Sequence, residues 1–294
     1  MSYQLQPVKP FIGAVSEKTL QEKSLNIIGF CYDGSTSFRP GTRFGPDAIR
    51  DLSIGLEDYS PYLDDELTQY HIVDLGNLDF YPSRRQLSHE HFEQLTQDRN
   101  LQTEQIKLLT LGGEHSISYT PVKKYLADFE NLLVLHLDAH TDLRDGYLGD
   151  EHSHASVIKR ITDHFQPGHQ LIQYGIRSGP KEEFQWMKDK KTLRKSLKEL
   201  CNDLAVQANS RPIYLTLDLD FFDPCFVPGT GTPEAGGENF LNFMEIVKIL
   251  QYKNFVGADV VELCPQLDPS QSSTCFAAKV CRELLLAMGQ AYRA

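Results

Sequence analysis

The 294-residue sequence predicts an α/β fold: a largely parallel sheet covered by helices on both faces. Three observations lead there. Short runs rich in apolar and β-branched residues recur along the chain, segments with helical spacing of apolar residues separate most of them, and no linker, charge block or repeat breaks the alternation. One domain over residues 1–294 is therefore expected. The opening residues, 1–24, lack either period and read as an N-terminal arm.

Taken in order, the first strand is expected in SLNIIGFCY (24–32), and the glycine-rich loop FRPGTRFGP (38–46) leads to Pro46, which opens a helix. Arg39 and Arg43 in that loop read as structural. Strands follow in YHIVDLG (70–76) and IKLLTLGG (106–113), the two glycines of the latter allowing a tight turn. A helix in PVKKYLADF (121–129) precedes a strand in NLLVLHLD (131–138), and another in SVIKRITDHF (156–165) precedes QLIQYGIRS (170–178). The strand RPIYLTLDLD (211–220) runs toward the ordered loop VPGTGTPEAGG (227–237). A helix in NFMEIVKIL (242–250), a strand in NFVGADVVEL (254–263) and a long helix in SSTCFAAKVCRELLLAMGQAY (272–292), with a serine N-cap candidate, complete the chain.

Composition narrows the function. A net charge of −11, a pI near 5.4 and no run of Lys and Arg exclude an electrostatic grip on nucleic acid or anionic membrane, while fitting a small cationic partner. The N-terminus has no apolar stretch of signal-peptide length, and no segment approaches the roughly 20 apolar residues of a membrane span. A cytoplasmic protein is expected. Six cysteines, at 31, 201, 225, 264, 275 and 281, form no CxxC pair and read as reduced thiols, with Cys225 and Cys264 used in packing.

The stretch VLHLDAHTD carries an apolar strand straight into Asp138, His140 and Asp142, three side chains at alternate positions that an extended chain points to one face. Two buried carboxylates would repel and lose hydration unless a cation met them. The plainer alternative has one Asp capping the next helix and the other facing water. Asp218 and Asp220 repeat the pattern at the end of IYLTLDLD, and His115 sits just past another strand. His115 alone would be an ordinary satisfied polar residue. Together, all six lie at the carboxyl ends of strands, where ligands of open α/β sheets gather. Four aspartates are balanced by two divalent cations, and carboxylates with two imidazoles and no thiolate favour Mn²⁺ over zinc. Two such ions roughly 3.5 Å apart lower the pKa of a water between them and polarise an electrophile, which is hydrolase chemistry. His136 shares the face of Asp138 but precedes it, so it reads as supporting the site or packing rather than ligating.

These same residues carry a resemblance. GGEHS (112–116), DAHTD (138–142) and TLDLDFFDPCFVPGTGTPEAGG (216–237) resemble the three signatures of the ureohydrolases, the arginase and agmatinase family; QYGIRS and DVVELCP resemble its neighbouring segments. The likeness runs from about Leu25 onward. It implies a three-layer αβα fold with a central, mainly parallel eight-stranded sheet, a homo-oligomer (trimer or hexamer), and His115, Asp138, His140, Asp142, Asp218 and Asp220 as ligands of two Mn²⁺ per subunit. It also adds His154 as a proton shuttle and Glu262 as the carboxylate that pairs with a substrate guanidinium, with Asp142 holding the proton of the attacking water. The sequence departs from the family at ISYTPV, where the proline comes one residue late.

Substrate choice is read from LRDGYLGDEHSHAS (143–156), whose Asp145, Asp150 and Glu151 are expected to repel a carboxylate and so favour agmatine over arginine. The segment also resembles agmatinase loops. The alternatives are guanidinobutyrate, guanidinopropionate, guanidine or formiminoglutamate as substrate, or a metal-bound homologue without turnover. A DxD-type phosphotransferase lacks the Lys and Ser/Thr context it would need.

Overall fold

The structure is a computed structural model that describes residues 5–78 and 85–293. The body of a ten-stranded sheet among the described residues is formed by parallel strands β1 (Ser24–Phe30), β2 (Ile72–Leu78), β3 (Ile106–Gly112), β4 (Leu133–Leu137), β5 (Gln170–Tyr174), β6 (Leu193–Arg194), β7 (Pro212–Asp218) and β8 (Asn254–Val261). Their order across the sheet is β2-β1-β3-β8-β7-β4-β5-β6, every neighbouring pair parallel. Every residue of β1, β3, β4 and β7 is buried, because helices cover both faces. That is why these strands read as unbroken apolar runs.

Alternate residues of one strand feed different cores. In β4, Leu133, Leu135 and Leu137 join Leu200, Phe243 and Leu284 on one face, while Val134 joins Phe92, Tyr125, Ile158 and Met187 on the other. The first layer is built from α1 (Gly45–Ser53), α6 (Leu197–Val206), α7 (Phe240–Leu250) and α8 (Ser272–Gly289). The second holds α2 (Arg85–Thr96), α3 (Tyr119–Asp128), α4 (Val157–Thr162) and α5 (Lys181–Lys190). Among the described residues no helix is long and apolar enough to cross a membrane.

Several local expectations change. Leu5–Gln6 pairs antiparallel with β2 and Val15–Ser16 pairs parallel with it, so the segment before β1 lies along a strand that would otherwise end the sheet. Gly112 and Gly113 do not turn the chain through a positive φ. Gly113 is needed because a Cβ there would lie 1.9 Å from the Tyr32 carbonyl oxygen, where the chain leaving β1 passes close beside it. Pro121 falls in the first turn of α3, whose N–H groups lack helical acceptors, so the displaced proline costs that helix no hydrogen bond. The residue before α8 is Gln271, in a left-handed conformation and without a side-chain cap. Asp268 caps instead, its Oδ2 accepting from Ser273 N–H at 2.7 Å and Ser273 O–H at 2.6 Å.

Candidate active site

The four central strands β3, β8, β7 and β4 deliver the acidic and imidazole groups to one end of the sheet. His115 follows β3 in a 3-10 turn, Glu262 follows β8 directly, Asp218 ends β7 with Asp220 in the turn beyond, and Asp138 follows β4. His115, Asp138, Asp218 and Asp220 are at most 3% exposed, and Asp142 and Glu262 are 7% exposed. Asp142 and Glu262 have φ of 50° and 65°, a left-handed conformation that non-glycine residues hold at a cost.

The aspartate and histidine side chains gather in two overlapping groups. His115 Nδ1 lies 3.0 Å from Asp138 Oδ2, 3.0 Å from Asp142 Oδ2 and 3.5 Å from Asp218 Oδ2. His140 Nδ1 lies 2.9 Å from Asp220 Oδ2 and 3.6 Å from Asp138 Oδ1. Asp138 therefore gives one oxygen to each group. The single convergence expected for Asp138, His140 and Asp142 does not occur, because the chain leaves β4 after Leu137 and reverses hand at Asp142.

His115 Nε2 is 2.8 Å from Thr216 Oγ, and Thr216 O–H donates to Asp259 Oδ1 at 2.7 Å. The hydroxyl's one proton is thus spent, so His115 donates from Nε2, and the neutral imidazole has its lone pair on Nδ1. That buried Nδ1 has no hydrogen-bond partner and faces three carboxylate oxygens. A lone pair opposed to three anions calls for a cation between them, and the donor set of imidazole and carboxylate suits a divalent metal. The ligand atoms of Asp138, His140 and Asp220, like those of His115, Asp138 and Asp142, all lie within 4.8 Å of one another, close enough to hold an ion. His136 also lies in the first group, 2.7 Å from Asp138 Oδ2. Gln173, whose Oε1 accepts from Thr192 O–H, gives its amide N–H to His136 Nδ1 at 3.2 Å. His136 therefore donates its Nε2–H to Asp138 and has no nitrogen left for a metal.

Without an ion, the electrostatics are unbalanced. Asp218 is pushed well above the usual carboxylate range by burial and by Asp220 and Asp138, and Glu262 by burial and by Glu114. Burial opposes charge on His140, yet Asp220 and Asp138 raise it to about 12; His115 is likewise raised by Asp138, Asp142 and Asp218 against its burial.

A cavity of about 200 Å³ opens over these groups, lined by His115, His140, Asp142, Asp218 and Glu262 below and by His154, Ser37, Arg144, Tyr147 and Glu183 around its walls. Glu262 Oε1 accepts from His115 N–H at 2.7 Å, which fixes the carboxylate plane. His154, which also lines the cavity, is half-buried between Ser35 and Ser37. The acidic loop behaves otherwise than its sequence implied: Asp145 pairs with Arg160 and faces solvent, Glu151 is exposed, and Asp145, Asp150 and Glu151 are not among the residues lining the cavity. Arg144, their neighbour, does line it, its guanidinium 4.7 Å from the Tyr147 ring. Cys225 is exposed rather than packed, whereas Cys264 is buried against Pro40 and Gly41. Arg39 donates to the Gly231 and Thr230 carbonyls and Arg43 pairs with Asp33, closing the glycine-rich loops over the site.

Sequence reasoning passed over Glu114, Glu183 and Arg177. Arg177 donates to the carbonyls of Asp220 and Glu234 at 2.6 and 2.8 Å, tying the turn of β7 to the loop beyond. Glu183 accepts from Thr141 O–H and from Leu143 N–H. A usable signal existed for Glu114 alone, a charged residue at the end of an apolar strand.

The family model that matches residues 23–287 is the arginase family. An agmatinase of Bacillus cereus is 39% identical over 279 residues, covering 92% of this chain and 94% of that protein. The mitochondrial guanidino acid hydrolase of Homo sapiens is 32% identical, covering 89% of this chain and 77% of its own. A crystal structure from Clostridium difficile matches with a TM-score of 0.85 and 38% identity, covering 92% of this chain and 98% of that one. With the sheet order, the strand-end carboxylates and these relatives in agreement, the chain belongs to the arginase family and is a ureohydrolase.

Proposed function

We propose that this enzyme hydrolyses agmatine to putrescine and urea, using two Mn²⁺ ions per subunit. His115, Asp138, Asp142 and Asp218 would hold one ion, and His140, Asp138 and Asp220 the other. The observation that carries the reading is the buried His115 Nδ1 lone pair opposed to three carboxylates at the floor of a cavity that Glu262 and His154 also line. When bound, the ions supply a water of lowered pKa and polarise the electrophile.

The rest falls to the side chains. Glu262, its plane fixed by His115 N–H, holds the guanidinium by charge-assisted hydrogen bonds and sets the carbon over the floor of the cavity. Asp142 takes the proton of the attacking water. His154 gives a proton to the departing amine, which is a poor leaving group until protonated. Carbon–nitrogen cleavage then releases the amine, and the proton left on the new carbonyl oxygen passes to it, giving urea and an alkylammonium.

Agmatine is favoured by the name of the Bacillus cereus relative and no longer by the acidic loop. A guanidino acid is the second reading, because Arg144 on the cavity wall offers a carboxylate the cation that the loop reading had denied it, and the human relative is named for such substrates. Glu183 on the same wall speaks for an ammonium. Urea release by Mn²⁺-loaded protein from agmatine, arginine, guanidinobutyrate, guanidinopropionate and guanidine decides between them, with agmatine expected to dominate. A guanidino acid outpacing agmatine would give the site to Arg144, and no urea from any would mean a homologue without turnover. His154→Ala is expected to keep both ions and to slow turnover ~10²-fold, as for a lost general acid. A homo-oligomeric, cytoplasmic protein completes the proposal.

A further inference from the structure

Glu114 is wholly buried, yet it ligates nothing in the cavity floor. Its Oε2 accepts from Ser35 N–H at 2.7 Å and its Oε1 accepts from Ser116 O–H at 2.5 Å and from Ser35 O–H. Ser35 Oγ in turn lies 3.0 Å from the backbone nitrogen of His154 and 3.3 Å from its Nδ1. A hydroxyl has one proton and two lone pairs. Its proton goes to Glu114, so both contacts with His154 must be accepted: the backbone N–H on one lone pair and an Nδ1–H on the other. Ser37 Oγ is 3.2 Å from His154 Nε2, and Ser37, unlike Ser35, lines the cavity.

We infer that Ser35, anchored on Glu114, is a positioning residue that fixes His154 as its Nδ1–H tautomer and turns Nε2 toward the cavity. The inference deepens the proposed role of His154 and, for its effect on rate, rests on that reading. It assigns work to a loop, residues 33–37, that no strand-end motif marks. Were Nδ1 the bare nitrogen, it would face the Ser35 oxygen lone pair to lone pair, since the serine proton is already committed to the carboxylate. The buried Glu114 carboxyl group, accepting from Ser35, therefore sets the tautomer at one remove, through the hydroxyl, without touching the imidazole. An imidazole held this way can carry its second proton only on Nε2, the atom beside Ser37 at the cavity wall.

Neutron diffraction from crystals of the full-length, Mn²⁺-loaded protein locates the deuteron. Wild type should carry it on His154 Nδ1 toward Ser35. Ser35→Ala should lose that tautomer or rotate the ring, and Ser35→Thr, which restores a hydroxyl, should recover it. Ser37→Ala should keep Nδ1–H, which separates this from general loosening of the loop. In kinetics, Ser35→Ala should lower kcat roughly ten-fold with KM near wild type, because Ser35 does not line the cavity, and Ser35→Thr should restore kcat. A deuteron on Nε2 with none on Nδ1 in wild type, or an unchanged tautomer and ring orientation in Ser35→Ala, would overturn the inference. The two readings separate cleanly: His154→Ala turning over at the wild-type rate sinks the relay role of His154, while the neutron maps decide the positioning claim independently.

Discussion

Asp138 is the one aspartate whose two oxygens serve both halves of the centre, one facing His115 and the other His140. Its carboxyl is held well below the usual range despite burial, by His136, His115 and His140. Asp138→Asn keeps the size and removes the charge, so both ion positions should weaken. Asp220 meets His140 alone among the imidazoles, and Asp220→Asn should release chiefly the ion on that side. Metal analysis of purified variants checks this: both retaining two ions per chain at normal turnover would refute the dinuclear assignment. Residues of this kind were legible because an acid or imidazole closing an apolar strand has no cheap structural explanation. Ser35, Glu183 and Arg144 gave no such signal. A serine in a loop, a glutamate in the first turn of a helix and an arginine beside acids are ordinary in a sequence, and only the fold brings Glu183 and Arg144 to the cavity and Ser35 to His154.

At the scale of elements, a strand was readable in proportion to its burial. Buried runs such as β1, β3, β4 and β7 announce themselves, whereas the two-residue β6 at the sheet edge is half-buried and carries no apolar run. α2 and α5 escaped because their sequences are largely polar, RQLSHEHFEQLT being the clearest case. What joins the elements was not readable at all. Arg50 of α1, 1% exposed, meets Asp74 of β2 through Nε at 2.8 Å and Nη2 at 2.9 Å and reaches Asn77 through Nη1 at 2.6 Å. Asp74 Oδ2 also accepts from Phe11 N–H at 3.0 Å, so one carboxylate ties the N-terminal segment, the helix and the strand. Asp74→Ala leaves a buried guanidinium without its anion and should cost about 3–5 kcal/mol. Denaturant unfolding measures it. A loss below about 1 kcal/mol would mean that water or a neighbouring side chain takes the place of the carboxylate.

For the whole molecule, the site makes stability depend on pH and on metal together. In metal-free protein, Asp218 and Glu262 keep protons at pH values where the unfolded chain has released them, because burial raises both. The folded state then binds more protons than the unfolded one, so stability falls as pH rises from the ordinary carboxylate range through the raised values. His115 and His140 act in the same direction above the ordinary histidine value, His140 up to about 12. Asp138 acts oppositely, but only as pH drops below its ordinary 3.8. Metal ions bind these ligands deprotonated and displace their protons. The stabilisation they give, about 2.7 kcal/mol at a free concentration 100 times Kd, should therefore grow with pH. Thermal unfolding of chelated and Mn²⁺-loaded protein between about pH 6 and about pH 8.5 tests this, the difference in Tm being expected to widen steadily as protons leave the cluster. A difference that stays level or narrows would mean that the cluster is already deprotonated without metal, and that the opposed carboxylates are held apart by something other than protons and ions.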